Sequence, residues 1–77
     1  MPTIFRKLGF CFFFYRDEGN EPPHVHVEKG DGRGKYWIDP VNKAYMDNFN
    51  RQDEKKAEQI VHEKQNDFKK NWYEYFS

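Results

Sequence analysis

The sequence predicts an α+β fold: a mainly antiparallel sheet of about four strands, followed by one long or two consecutive C-terminal helices packed on one face. Three observations lead there. Glycine and proline punctuate the first half of the chain but are absent from Arg51 to Phe76, so short extended segments come first and helix last. His24-Val25-His26-Val27-Glu28 alternates strictly, with the two-residue period of a strand. Aromatic residues supply 19% of a chain that is only 36% hydrophobic and 34% charged. Each ring can bury roughly 150–250 Å², so a few of them replace many aliphatic side chains in a small core.

Thr3 to Lys7 reads as the first strand, and Leu8-Gly9 as a tight connection into Phe10 to Tyr15. That second run is apolar on both faces and suits a strand covered on each side. Arg16 to Glu21 is a polar loop, and Pro22-Pro23 stiffens the entry into the alternating strand that starts at His24. Lys29-Gly30-Asp31-Gly32 should close a hairpin onto Arg33 to Asp39, which Pro40 ends or interrupts. Val41 to Phe49 fits either a short fifth strand near Val41 to Tyr45 or a loop packing Tyr45, Met46 and Phe49 on the sheet. A helix begins near Arg51, capped by Asn50 with Asp53 three residues on. Ala57, Ile60, Val61, Phe68, Trp72, Tyr75 and Phe76 form its apolar stripe, interrupted by Lys64 and Gln65. One unbroken helix would be about 37 Å long at 1.5 Å per residue, which favours a break near Gln65-Asn66.

The 77 residues fit a single domain, residues 1–77. A domain of this size buries only about 60–65% of its unfolded surface, so no large cofactor cavity is expected and no cofactor is assigned. Thirteen basic and thirteen acidic residues cancel, so contact with nucleic acid would need a local basic patch rather than bulk charge. The lone Cys11 forms no internal disulfide and no cysteine cluster suggests zinc; it reads as a small buried hydrophobe. With no apolar signal core and no run near the roughly 20 residues that span a bilayer, a cytoplasmic protein without membrane contact is expected.

The His24-x-His26 pair is the main candidate for chemistry. Two imidazoles on one strand face stand roughly 6–7 Å apart and can share a groove. As base and acid they could cleave RNA without a metal, with Arg16, Arg33 and Lys35 contacting phosphate. Beside Tyr36 and Trp37 they could instead contact single-stranded bases. A third use is metal binding, although Glu28 lies about 13 Å along the strand from His24 and cannot join both histidines at one ion. His62, Asp17 or Glu18 would have to complete such a site, and no metal ligand set is assigned. Against all three stands a structural role, the imidazoles being bonded to carbonyls or loop carboxylates.

Met1-Pro2-Thr3-Ile4, Gly9-Phe10 with Phe12-Phe13-Phe14-Tyr15, Glu21-Pro22-Pro23-His24-Val25-His26-Val27, Lys35 to Pro40 and Trp72-Tyr73-Glu74-Tyr75-Phe76 together resemble a family of small bacterial proteins. It is catalogued as a domain of unknown function, number forty-one sixty. The positions carried over are Gly9, Tyr15, Pro22, Pro23, His24, His26, Trp37, Asp39 and Trp72. The loop Arg16 to Glu21 departs from the family's more usual Ser-Asn-Glu and histidine- or asparagine-containing turn, which weakens a role for a loop histidine. Family members are often encoded beside a second small gene, in pairs classed as candidate toxin–antitoxin modules. The resemblance therefore implies a small antitoxin-like protein partner.

From these readings we expect a toxin-like component of such a pair, acting on RNA or translation through a His24/His26 surface site. The alternatives are a noncatalytic protein-interaction module with structural histidines, in which the sheet edge or aromatic C-terminus binds the partner, and a metal-binding domain. A homodimer is compatible with each.

Overall fold

The computed structural model describes residues 2–77; Met1 of the Met1 to Ile4 motif lies outside them. Five strands, β1 (Thr3–Lys7), β2 (Phe10–Phe13), β3 (His24–Lys29), β4 (Gly32–Ile38) and β5 (Val41–Asp47), form one antiparallel sheet in sequence order. Two helices follow, α1 (Arg51–Glu63) and α2 (Gln65–Tyr75). The predicted α+β architecture is thus present, with the segment left open between strand and loop forming the fifth strand.

Each connection has a local cause. Leu8 and Gly9 both have positive φ (54° and 84°), the handedness that lets a two-residue turn follow the twist of its strands. Gly30, at φ 56°, starts the β3–β4 turn. The register of β4 on β5 shifts between Lys35 and Tyr36, so Ala44 has no partner and strict alternation is lost from β5. The Asn50 side chain accepts from the Asp53 N–H at 2.7 Å and caps α1 as the sequence predicts.

The helix breaks at Lys64, one residue before the expected position, where φ −102° and ψ 13° leave the helical well. The adjoining Gln65 amide donates to the Ile38 carbonyl at 2.8 Å, tying the break to the end of β4. Bending there lays both halves of the apolar stripe on a sheet that a straight helix would overrun. Ala57, Ile60, Val61, Phe68 and Trp72 are buried against Phe10, Phe12, Phe14, Val25, Val27, Tyr36 and Ile38. Phe12 sits 5.4 Å from the Phe68 ring and 6.2 Å from Phe5, a tilted cluster of the kind aromatic quadrupoles favour.

Successive residues of a strand face opposite sides, so the neighbours of these core positions lie on the second face of the sheet. Phe13, His24, His26, Lys35 and Trp37 share that second face, through the pairs Phe13↔His26, His26↔Lys35 and His24↔Trp37. The segment between β2 and β3 covers it, with a 3₁₀ turn at Arg16–Glu18. Cys11 also lies there and is half-buried, rather than enclosed as its residue type suggested.

Candidate functional site

The β2–β3 connection is short and internally bonded, which is what brings a carboxylate onto the strand. Glu18 N–H donates to the Tyr15 carbonyl (3.4 Å) and Glu21 N–H to the Glu18 carbonyl (3.2 Å), coiling the chain over β3. Pro22-Pro23 then sets the extended entry, and the Pro23 carbonyl accepts from Ile38 N–H at 3.1 Å, joining the loop exit to β4.

Glu18 is thereby placed between the two histidines. The Nε2 atoms of His24 and His26 each lie 2.7 Å from the same oxygen, Glu18 Oε1, and the Nδ1–H of His24 donates to the Pro22 carbonyl at 3.0 Å. Both imidazoles are buried, His24 at 0% and His26 at 5% exposure, instead of standing on the open surface expected of them. Rings form the walls: Trp72 and Trp37 lie 4.8 and 5.5 Å from the His24 ring, and Tyr15 and Phe13 lie 4.5 and 5.6 Å from His26. The alternation of β3 was visible in the sequence; the covering loop, a nonlocal contact, was not. The Phe76 ring, packed on Trp72, presses against Gly19 of the loop, where an added Cβ would lie 2.5 Å from Phe76 Cδ1.

The electrostatics of the three groups are interlocked. Burial acts to raise the Glu18 pKa, but hydrogen bonds from His24 and His26, together with their charge, outweigh it and hold the carboxyl below its ordinary value. For His26, burial is the leading influence and pushes the pKa down; the charges of His24 and Lys35 add to it, and Glu18 opposes.

The predicted phosphate contacts are less concentrated. Lys35 Nζ pairs with Glu21 at 2.9 Å and stands 4.4 Å over the Trp37 ring. Arg33 is exposed and pairs with Glu28 at 3.4 Å, while Arg16 is exposed on the 3₁₀ turn. Glu28 is therefore Arg33's partner rather than a companion of the histidines. Of the residues weighed as completing a metal site, Glu18 reaches the pair, whereas Asp17 stays outside the group and His62 is exposed on α1. Tyr15 and Trp72 wall the pair; spacing discloses the place of Trp72 in the apolar stripe but not its contact with His24. Elsewhere, the buried Tyr36 hydroxyl has no hydrogen-bond partner, and burial together with Glu58 and Glu54 raises its pKa.

Chemically, this arrangement can do two things. It can hold the loop on the sheet through charge-assisted hydrogen bonds, and it presents three convergent donor atoms within 4.8 Å of one another. It is the one such His, Cys, Asp or Glu group among the described residues. A family model described as "Domain of unknown function (DUF4160)" matches residues 9–73. No curated protein and no solved structure matches the chain.

Proposed function

The chain belongs to the DUF4160 family, and we propose that within it this protein is a noncatalytic interaction module whose Glu18, His24 and His26 are scaffold. The observation that carries this reading is the burial of both imidazoles against one carboxylate oxygen. A general base must reach the proton it removes and a general acid the leaving group, and rings and loop stand between this pair and any ribose. Lys35 and Arg33 each already have a carboxylate partner, which lowers their value as phosphate contacts.

The surface this reading assigns to a partner is the outer edge of β5, a seven-residue strand at one of the two ends of the sheet. Tyr45 is 43% exposed there, and the unpaired backbone groups of an edge offer the hydrogen bonds that an added strand uses. The small antitoxin-like protein implied by the family resemblance is the partner this reading assigns to it.

Co-expression with the product of the neighbouring small gene tests the assignment. We expect a complex on size-exclusion chromatography that survives His26→Asn and is weakened by Tyr45→Glu, with folding of each variant checked by circular dichroism. A folded His26→Asn variant that binds the partner yet loses growth arrest or RNA cleavage would restore the acid–base reading.

A further inference from the structure

His24 is surrounded by acceptors. Its Nδ1 faces the Pro22 carbonyl, which can only accept, so Nδ1 carries a hydrogen. Its Nε2 faces the Glu18 carboxylate at 2.7 Å, again an acceptor. A neutral imidazole has one N–H and cannot satisfy both; its remaining lone pair would be aimed directly at a carboxylate oxygen. The facing atoms of His24 and Glu18 therefore need a proton or a metal ion between them. His26 Nε2 lies 2.7 Å from the same carboxylate oxygen, so a metal ion there would have three protein donors.

The surroundings match a metal centre. Ligating histidines commonly donate their other ring N–H to a backbone carbonyl, which fixes the tautomer and aims the ligating lone pair; the bond from His24 to Pro22 has that form. Two imidazoles and a carboxylate are donors suited to a zinc-type ion. The Glu18 oxygen now occupies the space between the two nitrogens, and zinc–nitrogen bonds of about 2.0–2.1 Å would require the carboxylate to retreat. Glu18 can do so, because its side chain is 25% exposed and rides on a single 3₁₀ turn rather than on the sheet.

We propose that Glu18, His24 and His26 bind one divalent transition ion of the zinc type, exchanging the protons that link them for a metal that clasps the β2–β3 loop to β3. This deepens the scaffold role proposed above and rests on it. Three protein donors leave a four-coordinate ion one position for a non-protein ligand.

Tag-free full-length protein, stripped with chelator, should be titrated with Zn²⁺ by calorimetry and with Co²⁺ by visible absorption while the melting temperature is followed. We expect one ion per chain and a higher melting temperature on loading. Affinity should fall at least about tenfold in His24→Ala, His26→Ala and Glu18→Gln. Glu18→Gln keeps an oxygen that accepts from both rings, so it separates metal binding from folding. His62→Ala should bind as wild type does. Folded wild-type protein taking up less than roughly half an equivalent overturns the proposal, as does undiminished binding by Glu18→Gln or loss of binding in His62→Ala. The partner-binding assay is read independently of the metal titration, so failure of the metal site and failure of the interaction module are told apart.

Discussion

The two faces of β3 are buried by different means. Val25 and Val27 look into a buried aromatic and aliphatic core beneath the helices, where stability comes from area removed from water. His24 and His26, one residue away on the same strand, look into a compartment closed by a loop and held by one carboxylate. The first face tolerates changes of pH and suffers from lost volume; the second depends on charge. In a chain this short each unmet buried hydrogen bond costs a sizeable part of the total stability; the histidine face has its bonds made, whereas the Tyr36 hydroxyl on the helix face has none.

The sharpest way to expose that contrast is to remove volume from the helix face. Phe12→Ala should destabilise by about 3–5 kcal/mol, measured by chemical denaturation, with little dependence on pH. Glu18→Ala, on the other face, leaves two imidazoles without their acceptor and should cost about 2–3 kcal/mol. If Glu18→Ala proved harmless, the loop would be held by packing alone and the contrast would disappear.

Acid titration divides the faces further. His26 and Glu18 both have pKa values lowered by folding, from ordinary values of 6.5 and 4.5. Below each ordinary value the unfolded chain binds more protons than the folded one, so stability is full above the histidine range. It then falls with acidification, first as the medium drops below 6.5 and again below 4.5. Denaturation midpoints against pH should show both steps, and Glu18→Gln should remove the lower one. The smallest effect is expected outside both compartments: Asn50→Ala, which deletes the α1 cap, should cost about 1 kcal/mol and leave the pH profile unchanged.

What the sequence disclosed divides along the same line. Turns and caps depend on neighbours in the chain, so the Leu8-Gly9 and Gly30 connections, the Asn50 cap and the alternation of β3 were legible. Strand β5 remained open because its register slips opposite Tyr36 and its pattern loses period two. The break at Lys64 was foreseen from length, whereas its anchor, the Gln65 bond to Ile38, joins residues far apart in the chain. Glu18 was one of several residues able to join the histidines, and choosing it required the path of the 3₁₀ turn. An H-x-H strand reads as an open face, and the covering loop and the surrounding rings close it.

Gly19 bears on how this sequence can vary. Its φ of −68° is open to any residue, so the requirement for glycine is one of space: the Phe76 ring occupies the place of a side chain. A larger residue at position 19 would have to be matched by a smaller one at position 76, or the turn would lift and take the neighbouring Glu18 with it. Among relatives, the two positions should therefore change together, and the size of the C-terminal ring becomes a record of how closely the loop is pressed onto the histidines.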